Sequence, residues 1–144
     1  MKEKYEVYID GAARGNPGEA GIGIVIKSGK KTILEVSDYV GKTTNNVAEY
    51  LSLIRGLEEV LMLKTKEVSF FSDSELLVKQ INGEYKVKNE GLRPLFLHAK
   101  ALISKFDKFS ISHTVREENK HADKLANKGI DDHYKNNSPL FSST

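Results

Sequence analysis

Near residue 45 the hydrophobic period of this chain changes from that of strands to that of a helix. Before that point Lys4–Asp10, Ala20–Lys27 and Thr32–Tyr39 are β-rich segments. Asp10-Gly11 closes the first and Ser28-Gly29-Lys30 turns the second into the third, which predicts an antiparallel meander. The stretch Ala12–Gly18 between the first two reads as a loop. After that point apolar residues fall at Val47, Tyr50, Leu51, Ile54, Leu57, Val60 and Leu61, the spacing of an amphipathic helix with one face on a core. Asn45 or Asn46 caps it. Glu67–Ser72 is a short strand, Asp73-Ser74 opens a helix to about Ile81, and Asn82–Glu90 is a polar connection. Leu92–Lys105 is helical, Phe109–Val115 is a fifth strand, and Asn119 caps a last helix that runs to about Gly129. From Asp131 to Thr144 the chain lacks periodicity and is expected to be a flexible tail.

Three strands, a helix, a strand, two helices, a strand and a helix imply an α/β domain with helices on both faces of a five-stranded mixed sheet. Right-handed crossovers make the fourth and fifth strands parallel to the first. The carboxyl ends of those three strands then share an edge with the amino ends of the helices that follow, and such edges bind ligands. A chain of 144 residues, 39% hydrophobic, makes one domain of this kind without a metal or disulfide to hold it together, so a metal here serves chemistry. The absence of Cys excludes thiolate zinc sites and cysteine nucleophiles. No run approaches the roughly 18 apolar residues of a membrane span, and Met1-Lys2-Glu3-Lys4 leads straight into a strand, which predicts a cytoplasmic protein with no membrane partner. The net charge of +2 is too small to announce a nucleic-acid binder, but acids gathered in one place would leave the remaining surface more basic than the sum.

Four acids stand at the predicted edge. Asp10 ends the first strand, Glu49 lies in the first turn of the helix after the third, Asp73 ends the fourth, and Asp123 lies in the first turn of the last helix. Each has a local explanation: an Asp-Gly turn for Asp10, a capping box of Asn46 with Glu49, a second box of Ser72 with Glu75 beside Asp73, and the helix dipole for Asp123. Together they require more, because converging carboxylates repel unless a cation neutralises them. Oxygen-only ligands suit Mg²⁺ first and Mn²⁺ second, and two such ions about 4 Å apart would activate a water and stabilise the leaving oxygen of a phosphodiester.

The stretches YIDGAARGNPG, TTNNVAEY, FSDSELLVKQ and ENKHADKLAN, in that order over residues 5–130, resemble ribonuclease H of the type 1 class. The resemblance implies a catalytic domain over residues 1–130 that acts, as a monomer, on RNA/DNA hybrid duplexes. It implies cleavage within the RNA strand to leave a 3′-hydroxyl and a 5′-phosphate. Asp10, Glu49, Asp73 and Asp123 match the family's metal ligands. Gly11 matches a residue that lets backbone approach the RNA strand, and Asn16 one that reaches ribose 2′-hydroxyls, the group that distinguishes RNA from DNA. Thr44, Asn45 and Asn46 match groups that grip a DNA-strand phosphate and minor-groove base edges. Arg14 either meets a phosphate or is solvated. Glu75 stands where relatives often carry Gln and, when ionised, accepts but cannot donate, so either it faces the helix cap or the base contact there is altered. Many bacterial members carry a basic protrusion where this chain has only NGEYKVKNEG, which places it in the branch without that handle. A group that helps product leave is expected near Asp123; His113, His121, Glu117 and Arg116 are the alternatives.

Two other readings share these residues. A nuclease of the same fold acting on DNA junctions or ends is disfavoured by the hydroxyl-reading stretch Gly11–Asn16. A non-catalytic hybrid-binding domain would gain nothing from a cluster of acids facing a polyanion.

Overall fold

The computed structural model describes residues 4–137. Strands β1 (Lys4–Gly15), β2 (Gly18–Ser28) and β3 (Lys31–Thr43) form the meander, and helix α1 (Asn45–Met62) follows. Strand β4 (Glu67–Ser72), helices α2 (Glu75–Ile81) and α3 (Arg93–Ile103), strand β5 (Lys108–His113), one 3₁₀ turn (Arg116–Asn119) and helix α4 (Lys120–Asn137) complete the order. The sheet runs β3-β2-β1-β4-β5, with β1 antiparallel to β2 and parallel to β4, and β4 parallel to β5. Among the described residues no helix is long and apolar enough to cross a membrane.

Alternation along the strands sorts two faces. Val7 and Ile9 of β1, Ile22, Ile24 and Ile26 of β2 and Phe70 of β4 pack with Leu53, Leu57 and Val60 of α1 in the main core. On the opposite face α4 lies directly on β2. A Cβ at Gly23 would stand 2.0 Å from the Ala122 carbonyl oxygen and one at Gly21 2.2 Å from that of Ala126, so only glycine admits the helix. Ala122, Ala126 and Ile130 of α4 are fully buried there, and Ser37 Oγ of β3 donates to the Leu125 carbonyl at 2.5 Å.

Several local expectations are corrected. The first strand does not stop at Asp10 but continues to Gly15, and β2 begins at Gly18, so most of the predicted loop is hairpin. Asp-Gly mimicked a turn because Gly11 is needed for close approach: a Cβ there would stand 2.3 Å from the Ala48 carbonyl of α1. Thr44, rather than Asn45 or Asn46, caps α1, its Oγ1 accepting from Val47 N at 3.2 Å. The third strand runs on to Thr43, which leaves Thr44 as the residue at the break. Ser74 caps α2, and Ser72 Oγ accepts from Ser74 N at 3.0 Å instead of forming a box with Glu75.

The last helix also differs. Asn119 is fully buried and donates from Nδ2 to the Ile9 carbonyl at 2.9 Å, tying the 3₁₀ turn to β1 rather than capping α4 through its side chain. The helix does not stop near Gly129. A Cβ at Gly129 would lie 2.5 Å from the Asp38 carbonyl of β3, so this glycine serves a helix-on-strand contact and not a helix end. The tail expected from Asp131 is therefore helical through Asn137, with His133 stacked on Tyr39 at a centroid distance of 3.5 Å. The rest of that expected tail, residues 138–144, lies outside the described residues.

Candidate active site

Parallel pairing of β1 with β4 ends at Ile9↔Ser72. Asp10 and Asp73 are each the next residue, so the sheet sets two carboxylates side by side at its edge. Asp10 sits between Ile9 and Gly11 and thus points to the α4 face, pairing with Gly23 on β2. Glu49 comes from the first turns of α1, which the missing side chain at Gly11 lets descend onto β1. The Gly11 N–H then donates to Glu49 Oε1 at 2.6 Å. Asp10, Glu49 and Asp73 each offer a carboxylate oxygen within 4.8 Å of the others, a group that could hold a metal ion. Asp123 of α4 joins from the other side, close enough to share a hydrogen bond with Asp10.

Asp10 and Glu49 are each only 5% exposed. Burial, then the charges of Glu49 and Asp73 and the contact with Asp123, push the Asp10 carboxyl up to about 10. Burial pushes Glu49 up to about 8, against the opposing hydrogen bond from Gly11, and Asp73 and Asp123 reinforce the rise. Both groups resist ionising because burial strips their carboxylates of water and the neighbouring carboxylates oppose a further negative charge. Arg116 brings a positive charge to the group: its Nε stands 4.0 Å from Asp73 Oδ2, and it lowers Glu49, but its side chain is 86% exposed and the pair is weak.

The remaining predicted residues divide. Asn16, Thr44 and Asn46 come together around a cavity of about 270 Å³, with Val47, Asn89, Gly91 and Leu92. Asn16 Oδ1 accepts from Asn45 N at 3.1 Å, and Asn45 Oδ1 accepts from Ala13 N at 3.3 Å, which ties the hairpin to the start of α1. Asn89 was missed as part of a polar connection; its Oδ1 accepts from Gly91 N at 2.7 Å and Leu92 N at 3.2 Å, and an Asn-x-Gly ahead of a helical period was its signal. Arg14 is exposed but not free: it pairs with Asp131 on α4 at 2.7 Å. Glu75 is exposed and pairs with Lys79 one helical turn on, at 2.7 Å.

Of the auxiliary candidates, His121 is bound to Glu35 on β3, His113 is exposed at the end of β5 beside Glu75, and Glu117 is exposed in the 3₁₀ turn. Arg116 is the one the fold brings to the carboxylates. The connection 82–91 forms no helix or strand, and Lys79 Nζ lies 5.0 Å from the Tyr85 ring centroid.

The profile of the family described as reverse transcriptase-like matches residues 8–129. A ribonuclease H of Methylococcus capsulatus is 33% identical over 139 residues, which cover 87% of this chain and 88% of that protein. This chain belongs to the ribonuclease H family. A bifunctional protein of Mycobacterium tuberculosis is 41% identical over 130 residues, 89% of this chain and 36% of that protein, so the chain spans about a third of that relative's length. Among solved structures similar to this ribonuclease H family member is LC11-RNase H1, isolated from compost, in complex with an RNA/DNA hybrid. It aligns with a TM-score of 0.86 and 43% identity over 90% of this chain and 98% of that one.

Proposed function

We propose that this chain is a divalent-metal-dependent endonuclease that hydrolyses the RNA strand of RNA/DNA hybrids, leaving a 3′-hydroxyl and a 5′-phosphate. The observation that carries the reading is the convergence of Asp10, Glu49 and Asp73 within 4.8 Å, with Asp123 against Asp10. An all-carboxylate donor set, with Asp10 and Glu49 buried and Asp73 and Asp123 half-buried, fits hard divalent cations, two Mg²⁺ ions or Mn²⁺ in their place. When bound, two such ions supply Lewis acidity to the attacking water and the leaving oxygen. The four carboxylates would hold them, with Glu49 oriented by its hydrogen bond from the Gly11 N–H. Arg116, exposed above Asp73, offers positive charge to a phosphate at the site.

Selectivity rests on the hairpin and the start of α1. Asn16 has its Oδ1 engaged by the Asn45 N–H, so its amide presents N–H donors, suited to a 2′-hydroxyl oxygen. The cavity among Asn16, Thr44, Asn46 and Asn89 is lined by neutral hydrogen-bonding groups that suit a backbone phosphate. The enzyme works as a monomer in the cytoplasm, with no membrane partner.

Binding selectivity tests this reading. Measured with Ca²⁺ across a salt series, the protein is expected to bind hybrid more tightly than duplex DNA, with a shallow salt slope of roughly two to four, since the lining of that cavity holds no Lys or Arg. Asn16→Ala is expected to narrow the preference for hybrid while leaving DNA binding alone. Equal affinity of the unaltered protein for both duplexes would contradict hybrid recognition.

A further inference from the structure

Arg14 stands on the hairpin arm that the proposed function turns toward RNA, yet its guanidinium is committed to α4. Its Nη1 donates to Asp131 Oδ1 at 2.7 Å, and its Nη2 donates to the Asn127 carbonyl at 3.3 Å and to Asn127 Oδ1 at 3.2 Å. A guanidinium has donors only, so the amide of Asn127 must face it with oxygen. Asn127 Nδ2 is thereby turned toward the start of the helix, where it donates to the Asp123 carbonyl at 3.1 Å and, at a longer 3.4 Å, to Asp123 Oδ1. With the amide reversed, N–H would face guanidinium and carbonyl oxygen would face carboxylate, both repulsive.

Asp123 needs such support more than its partners do. Asp10 and Asp73 are seated at the end of the parallel ladder and Glu49 is held by the Gly11 N–H, whereas Asp123 projects from the side of a helix and is half-buried. We propose that Arg14 and Asn127 are positioning residues for Asp123, a guanidinium–amide relay by which the β1–β2 hairpin fixes the carboxylate that completes the cluster. The relay rests on the reading of that cluster as a metal site. Arg14 acts on the site through Asn127 and not as a phosphate contact.

Calorimetric titration of Mn²⁺ into the wild-type chain, Arg14→Gln, Asn127→Leu and the double variant tests the relay. Each single change is expected to weaken Mn²⁺ binding about tenfold, the usual scale for partners that orient a ligand. The double variant is expected to be no weaker than either single one, because both break the same relay. Thermal midpoints in EDTA are expected to stay within about 3 °C of wild type. Should Arg14→Gln fail to fold, Asn127→Leu alone decides. Unchanged Mn²⁺ affinity in the singles, additive losses in the double, or an Arg14→Gln variant that loses hybrid binding in EDTA while keeping Mn²⁺ affinity would each overturn the relay. A wild-type chain that binds no Mn²⁺ would instead overturn the metal-site reading beneath it.

Discussion

Asp10→Asn is expected to lower hybrid cleavage by about 10²- to 10³-fold at saturating Mg²⁺, the scale of losing one pre-placed electrostatic group, and to raise the thermal midpoint of the metal-free protein. The two effects have one cause. Asp10 lies at the centre of the carboxylates, buried, with Glu49, Asp73 and Asp123 all opposing its ionisation. A neutral amide of nearly the same shape removes that repulsion and keeps the packing between Ile9 and Gly11. It also removes a charge that cations would neutralise, so ion placement suffers where stability gains. Rates with Mg²⁺ and unfolding scans in EDTA check the two halves separately. An unchanged rate would remove Asp10 from the proposed ligand set, and a lowered midpoint would show that its contact with Asp123 stabilises more than the crowding destabilises.

The metal-free protein is also expected to lose stability as pH rises from about 5 to 9, and Mg²⁺ is expected to flatten that dependence. Unfolded carboxylates titrate near about 4, whereas the folded chain holds Glu49 up to about 8 and Asp10 up to about 10. Between those limits the native state binds protons that the unfolded state has released, so stability falls with rising pH. Below the lower limit both states are protonated and the difference vanishes. Asp131, held low by Arg14, has the opposite sign, but its effect falls below this window. Cations bind the deprotonated carboxylates, so their affinity rises over the same range and offsets the loss. Unfolding scans at pH 5, 7 and 9 in EDTA and in millimolar Mg²⁺ check this. A metal-free midpoint that climbs with pH would show that the carboxylates are not strained.

What was legible in the sequence was the set of junctions. The strand-to-helix change of period near residue 45 and the short apolar runs at Glu67–Ser72 and after Lys108 determine the order of elements. Chirality then brings the ends of β1 and β4 together, which is why four acids far apart in sequence could be assigned to one edge. The glycines were harder. Gly11 and Gly129 read as turn and helix stop, but each instead makes room for another element's backbone, Ala48 in one case and Asp38 in the other. Local propensity cannot separate a glycine needed for its backbone freedom from one needed for its missing side chain. Arg14 was undecidable for a related reason: its partners Asn127 and Asp131 lie more than a hundred residues away on a helix expected to end before Asp131. Asn45 and Asn46 were the caps expected for α1, and it is the length of β3, which runs to Thr43, that moves the cap to Thr44.

The central claim is that this edge cuts RNA paired with DNA by means of bound divalent cations. It is tested most directly by incubating the full chain with hybrids labelled on either strand, beside double-stranded RNA and DNA, in Mg²⁺ and in EDTA. The expected result is internal cleavage of the hybrid's RNA strand alone, dependent on Mg²⁺, with fragments ending in 5′-phosphate and 3′-hydroxyl. Cleavage of the DNA strand, equal cleavage of double-stranded RNA, or activity that persists in EDTA would contradict it.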